Sequence, residues 1–389
     1  MTKIQKDNKS TSNVPPLRFP EFQGEWEVKK LGEVFSIFNG YAFSSAESVD
    51  DGILWVKIAD VGIQEMKKDN LSFLPLNFKT KYSKFSLKKG DYVVALTRPI
   101  LNGRLKIAQI DDFFDGALLN QRVGKIETKN SSGFVYCYLQ KDSLIKSIEN
   151  SIAGSEPPNL SPNEINSVKL VIPLLSEQQK IASFLSLIDE RIQTQIKIIE
   201  ELKLLKNTLR NQLFQRVLSE ENTEVQIKDA LNYEQPTKYL VTNTDYSSDN
   251  SLIPVLTANK TFVLGYTEEN FGIYDKGKCI ILDDFTMDMK FVDFSFKVKS
   301  SAIKILTSKS NVNLKFMFEY LSFLGLSSDE HKRHYISEIE PIKILLPNHH
   351  KQNQIENILS GIDKKIKIES EIHTLLTKQK QYLLQHLFI

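Results

Sequence analysis

The sequence predicts an α/β (α+β) chain. Two globular domains of mixed sheet are joined by two long helices, which form an antiparallel coiled coil with pseudo-twofold symmetry. Three observations predict this. A segment of helical period occurs twice, each copy opens on a strand-like run closed by proline, and a strand-rich segment precedes each copy.

The repeat runs from Glu164–Phe214 to Glu338–Phe388 at a constant offset of 174. Identical pairs include Lys169/Lys343, Pro173/Pro347, Gln178/Gln352, Asp189/Asp363, Lys206/Lys380 and Phe214/Phe388. Seventeen of the 51 positions agree, whereas common residue frequencies would give about 3 to 4 by chance. The repeat is therefore real, and it organises the rest of the chain.

In chain order, residues 1–15 are polar and Lys-rich and are expected to form a disordered tail without the apolar stretch of a signal peptide. Residues 16–175 form the first globular domain, with strand-like runs such as Ile53–Val56 and Asp91–Leu96. Val168–Ile172 is a strand that Pro173 ends, because proline cannot donate to a ladder. Residues 176–220 form the central helix, with Ser176 as its expected N-cap and no Pro or Gly from Glu177 to Leu218. Residues 221–347 repeat the globular pattern, with runs such as Lys278–Leu282 and Phe294–Val298, and residues 348–389 form the distal helix.

Apolar residues in the helices recur in steps of four and three. The seam consists of Ile181, Leu185, Ile188, Ile192, Leu202, Leu209 and Leu213 in the first copy. Ile355, Leu359, Ile362, Ile366, Leu376, Leu383 and Leu387 form it in the second. A 3.5-residue period over about five heptads is a coiled-coil signal, and each copy has an obvious partner in the other. Polar residues interrupt the seam at matching places, Gln195 with Glu369 and Lys206 with Lys380, where they can set register.

The composition is that of an ordinary globular protein: 389 residues, 41% hydrophobic, 25% charged, net charge +2. Two cysteines, Cys137 and Cys279, are too few for a disulfide framework, which fits a reducing cytoplasm. No apolar run approaches the roughly 18 to 20 residues of a membrane span. The near-neutral charge confines any nucleic-acid surface to local basic stretches. One is Leu71–Ile110, where Asp91 is the only acid among Lys79, Lys81, Lys84, Lys88, Lys89, Arg98, Arg104 and Lys106. Another is Phe294–Phe318, which has no acid and carries Lys297, Lys299, Lys304, Lys309 and Lys315. Aromatics interleave with both, as on a phosphate-tracking surface. Segment Glu221–Glu340 as a whole has 13 basic and 18 acidic residues, which argues against a general DNA-binding face there.

Several catalytic motifs fail. Gly272–Cys279 nearly matches a phosphate-binding loop, but a strand follows it and Cys replaces the terminal Ser or Thr. Asp283, Asp284 and Asp288 with Lys290 read as a solvated loop. His331, His334, His349 and His350 lack further ligands at zinc spacing, so no metal site is expected. There is no Asn-Pro-Pro-aromatic motif and no Ser/His/Asp signature. A binding protein is expected, not an enzyme.

At this point the residues resemble a family, the DNA-specificity subunits of type I restriction–modification enzymes. Pro16–Phe22 with Trp26 and Lys30–Glu33 is similar to the family's opening, and Leu119-Asn120-Gln121-Arg122-Val123 to the end of a first recognition domain. Leu160-Ser161, Ile172-Pro173 and Glu177–Ala182 resemble the approach to the family's central helix. Ile253–Thr257 and Asp283–Thr286 resemble one class of second recognition domain. The distal copy departs at Asn348–Gln352, where the family often has Leu-x-Glu-Gln.

The resemblance implies that each globular half is a target-recognition domain for one half of a split site in duplex DNA. It also implies two modification subunits with S-adenosylmethionine and two restriction subunits with ATP and Mg, leaving this chain with specificity and no cofactor of its own. Candidate base-reading residues are Arg98, Asn102 and Arg104 in the first half and Asn259, Lys260 and Lys297 in the second, since Arg pairs with guanine and Asn with adenine. Lys79, Lys81, Lys106 and Lys299 join them as DNA-binding candidates. The site is expected to be two unrelated blocks around an unread spacer set by the helices. The alternative is a coiled-coil scaffold with two protein-binding domains.

Overall fold

The proline-closed strands do not stand alone. In the computed structural model, Lys169–Ile172 pairs antiparallel with Glu27–Lys30, and Lys343–Leu346 pairs antiparallel with Thr223–Gln226. Each globular part is thus tied at its two chain ends by one two-stranded ribbon. A four-residue helix follows the first strand of each ribbon, Leu31–Val34 and Ile227–Ala230. Glu33 and Asp229 turn back onto the backbone N–H groups of Lys30 and Gln226 as capping boxes do.

The described residues are 13–152, 157–160, 166–258, 261–326 and 335–389. They fall into two compact units, Met1–Gln195 with Ile372–Ile389, and Ile196–Glu371. Each unit takes one globular part and half of each long helix, so the units do not follow the five sequence segments. The expected tail lies mostly outside the described residues.

Each unit contains one four-stranded antiparallel sheet. Its order in the first is Ser36–Asn39, Val123–Glu127, Tyr92–Ala95, Ile107–Gln109. The second repeats it with Leu231–Glu234, Ile303–Ser308, Cys279–Asp283, Met289–Val292. A three-stranded sheet accompanies each, centred on Ile53–Val56 and on Ile253–Leu256. Both include one parallel pair, with Leu118–Leu119 and with Lys297–Val298. One topology therefore serves two sequences that barely resemble each other.

The strands read as continuous apolar runs because both sheet faces are covered. Along Cys279–Asp283, Ile280 and Leu282 enter the cluster on the helix side, while Cys279 and Ile281 enter the opposite cluster. Val94 and its neighbours Val93 and Ala95 divide in the same way. Period-two alternation sorts the side chains; burial of both faces hides the alternation from the sequence.

The central helix spans Leu175–Ser219 and the distal helix His349–His386. Helix formation begins before Ser176, so that residue lies in the first turn and is not the cap; the Gln178 N–H already donates to the Leu174 carbonyl, 3.0 Å. Arg18, from the Pro16–Phe22 motif, makes two 2.8 Å contacts to the Glu177 carboxylate. Glu177 is almost wholly buried, so this bidentate pair is what lets a carboxylate sit inside the first turn.

Within the first unit, Ile181, Leu185 and Ile188 share a cluster with Leu383 and Leu387, and Ile192 packs against it. Within the second, Leu209 and Leu213 pack on Ile355 and Leu359. In each unit the start of one helix therefore meets the end of the other, which is the antiparallel order. Leu376 is buried, whereas Leu202, Ile362 and Ile366 are half-buried and belong to no cluster. The seam is deepest where a globular part adds side chains to the helix pair and thinnest between.

Candidate nucleic-acid interface

Two polar breaks in the seam, Lys206 and Lys380, are held by short ion pairs. In the second unit the Lys206 ammonium donates to Asp363 Oδ1 at 2.6 Å and to Glu319 Oε1 at 2.7 Å. In the first, Lys380 donates to Asp189 Oδ1 at 2.5 Å, Gln64 Oε1 at 2.8 Å and Gln140 Oε1 at 2.9 Å. Lys206 and Asp363 are the repeat counterparts of Lys380 and Asp189, so one ion pair is made twice, with the roles of the helices exchanged. Gln195 and Glu369, the other expected breaks, are both buried.

A second repeated device holds each domain to its helix. Gln178 donates to the Pro173 carbonyl (2.9 Å) and accepts from the N–H of Ser131 (3.1 Å). Gln352 donates to the Pro347 carbonyl (2.8 Å) and accepts from the N–H of Asn313 (2.8 Å). Ser131 and Asn313 are the N-caps of Ser132–Tyr138 and Leu314–Leu324. One buried amide thus joins strand end, long helix and short helix.

The first domain presents a basic hairpin. Ile100–Leu101 pairs with Arg104–Leu105, with Asn102 (φ 52°) and Gly103 (φ 69°) between them. Two successive left-handed residues make the mirror-image turn that suits a two-residue hairpin, and Asn-Gly is its preferred sequence. Asn102 and Arg98 are exposed, and Arg104 and Lys106 are partly so. Burial first, then repulsion from Lys67 and Arg98, holds the Lys106 ammonium below its ordinary proton affinity.

Lys79 and Lys81 lie elsewhere on this domain, on the short helix Phe78–Lys81 above an aromatic cluster. The Lys81 ammonium is 5.0 Å from the Tyr82 ring centre and 5.4 Å from that of Phe78. Tyr41 is 4.6 Å from Tyr82 and remains 38% exposed. Gly40 lets this loop approach: a Cβ there would stand 2.2 Å from the Leu119 carbonyl oxygen. The expected interleaving of cations and rings is present: Phe78 is buried support, while Tyr82 and Phe85 are half-buried.

In the second domain the candidates separate. Lys297 is fully buried; its ammonium is 2.6 Å from Glu269 Oε2 and donates to the Phe271 carbonyl at 2.8 Å. This corrects the expectation that it faces a duplex. It lies in the parallel strand pair, where the pleat turns it inward, and Glu269 neutralises it. The same contact holds the Glu269 carboxyl down at about 2. Lys299, two residues on, is exposed. Asn259 and Lys260 lie outside the described residues, as do His331 and His334. In the Asp283–Asp288 loop Asp288 is exposed, as expected of a solvated loop, but Asp284 is not. Asp284 is buried, accepts the Tyr335 N–H at 2.8 Å and is 3.2 Å from the Lys304 ammonium. Among the described residues no group of acids, His or Cys is placed to hold a metal, and no helix is long and apolar enough to cross a membrane.

Residues 23–204 match the family described as type I restriction modification DNA specificity domain. That match covers just under half of this chain. It is 33% identical over 196 residues to the type I restriction enzyme MjaVIII specificity subunit of Methanocaldococcus jannaschii, covering 50% of this chain and 46% of that one. It is 45% identical over 161 residues to a type I restriction enzyme specificity subunit of Escherichia coli, covering 39% and 40%. The chain thus matches less than half the length of each of these relatives. Its fold is similar to that of a type I restriction–modification S subunit from M. genitalium, with TM-score 0.64, 15% identity and coverage of 97% and 99%.

Sequence reasoning missed three features of this chain. Lys67 joins Arg98 and Lys106 through the fold, and only the fold brings residues 30 to 40 apart together. Glu319 was invisible as a partner of Lys206, because one acid on an apolar helix face has no spacing signature. Gln178 and Gln352 did carry a signal, their identity across the repeat, which helix formation alone does not require.

Proposed function

We propose that this chain is the DNA-recognition subunit of a type I restriction–modification complex and reads a bipartite site in duplex DNA. The observation that carries the reading is one strand order built twice with unrelated loops. A common frame with different loops suits two different base sequences, because base edges are read by a few side chains while the frame positions them. The central helix has 45 residues, ~67 Å at 1.5 Å per residue, and the distal helix 38. Under this reading the helices set the unread spacer between the two blocks. The modification subunits, two per complex, supply S-adenosylmethionine and the methyl transfer; the restriction subunits, also two, supply ATP- and Mg-dependent chemistry. This chain contributes Arg98, Asn102, Arg104 and Lys106 from the first domain and Lys299 from the second.

The test is to map methylated adenines in DNA from cells that express this chain with its modification subunit. Two short blocks at a constant separation are expected. Inserting one heptad in each helix should lengthen the spacer and preserve both blocks. A changed block with an unchanged spacer would remove the helices from this role.

A further inference from the structure

The connection between the third and fourth strands of the main sheet differs between the two domains. In the first it is residues 96–106, which hold the hairpin and the cations Arg98, Arg104 and Lys106. In the second it is residues 284–288, Asp-Phe-Thr-Met-Asp, with two acids and no cation. A second loop reinforces the basic one. The Gln64 N–H donates to the Ile107 carbonyl at 2.8 Å, which lays residues 61–67 beside Lys106. The Lys106 N–H donates to the Pro99 carbonyl at 2.7 Å, which turns the chain back toward Arg98. Lys67 follows directly, its N–H held by the Asp60 carbonyl at 2.8 Å. Lys67, Arg98 and Lys106 make no ion pair among the described residues. Glu65, in the same loop, makes none either.

Three cations drawn together without a carboxylate repel one another, and Lys106 feels both of the others. Lys206, Lys297, Lys304 and Lys380, whose side chains are at most 12% exposed, each have an acid beside them. Among the described residues no ion pair neutralises Lys67, Arg98 or Lys106, an arrangement that suits an anion from outside the chain. We infer that Lys67, Arg98 and Lys106 clamp the phosphate backbone beside the block read by the first domain, a clamp that the acidic 284–288 loop does not supply in the second. This rests on the reading of the chain as a DNA-recognition subunit. The Asn102–Gly103 turn projects next to the clamp, so a duplex held by its phosphates would be positioned for contact by that turn.

The experiment uses the full chain in complex with its modification subunit, wild type and as the triple variant Lys67→Gln, Arg98→Gln, Lys106→Gln. Duplex affinity is measured from 50 to 200 mM salt, together with the methylated sequence. Removing one lysine or arginine from a phosphate lowers the log–log salt slope by about 0.9. The expected result is a slope reduced by roughly 1 to 3, weaker binding at low salt and an unchanged methylated sequence. An unchanged slope overturns the clamp, and so does a changed methylated sequence, which would make these residues base readers. A kept slope with failed assembly would make the surface a protein-binding one instead. If the wild-type complex shows no salt-dependent duplex binding, the DNA-recognition reading itself falls; the clamp alone fails when only the variant behaves like wild type.

Discussion

The two units solve one problem, fixing a mixed-sheet domain to a helix pair, with different chemistry at one matched position. In the second unit Arg210 reaches the fully buried Glu319, 2.8 Å, beside Lys206. The repeat counterpart of Arg210 in the first unit is Leu384, and Cys137 occupies the place of Glu319, six residues after its N-cap. Leu384 and Cys137 belong to one apolar cluster. Burial pushes the Cys137 thiol up to about 12, so it packs there as a neutral group. A charged pair and an apolar pair are interchangeable in such a place, provided both members change together: removing both avoids the uncompensated charge that removing one leaves behind. The Lys–Asp pair beside it is kept in both units, so the register contact is common and its surroundings are free to vary.

The largest expected effect tests that exchange. Glu319→Cys alone leaves Arg210 and Lys206 facing a buried thiol and should destabilise the second unit by about 3 to 5 kcal/mol. Adding Arg210→Leu recreates the first unit's pair and should recover most of the loss in a urea titration; a double variant as weak as the single one would break the comparison.

Next come matched seam positions of unequal burial. Ile188 is 6% exposed and packed in a cluster, whereas its counterpart Ile362 is half-buried outside any cluster. Ile188→Asp should cost about 4 kcal/mol or more, through a buried unpaired charge, and Ile362→Asp roughly half as much. Equal losses in thermal melts would mean that the domains add nothing to the seam.

The register contact should matter less. Lys380→Met removes the donor shared by Asp189, Gln64 and Gln140 and is expected to cost about 2 kcal/mol. Lys206→Met leaves Glu319 still paired with Arg210 and should cost less. The reverse ranking in denaturant midpoints would show that the amide-rich end is the weaker clamp.

The smallest effect is a difference in acid response. Glu269 in the second domain is held near 2 by Lys297 and by hydrogen bonds from Thr242, against an ordinary 4.5. The folded state therefore prefers the carboxylate, and its contribution is present above about 4.5 and lost as pH falls toward 2. Asp60 in the first domain is shifted upward by burial, so its charge opposes folding at neutral pH and acid relieves it. Between pH 4.5 and 2 the second unit should lose more stability, and Glu269→Gln should flatten that loss in hydrogen exchange followed unit by unit.

The long helices were legible in the sequence because their physics is local. A 3.5-residue period declares a buried stripe wherever it is long enough, and the duplication of the pattern names the partner. Strand existence was legible in the same way, from β-branched and aromatic runs between turns. The fates of individual charges were not. Lys297 and Lys299 are two residues apart in one basic stretch, yet one is buried against Glu269 and the other exposed. Sequence proximity says nothing about which acid a strand's pleat turns a lysine toward.

By itself, the amino-acid sequence determined the class of fold, the repeat and the two long helices, since periodicity and internal identity do not depend on where the loops go. Only the tertiary structure decided that the two domains share one strand order, that Lys206 and Lys380 close reciprocal ion pairs, and that Lys67 joins Arg98 and Lys106. These depend on contacts between residues tens to hundreds of positions apart. Electrostatic partners are chosen there by burial and geometry, at distances of a few ångström that no spacing in the chain records.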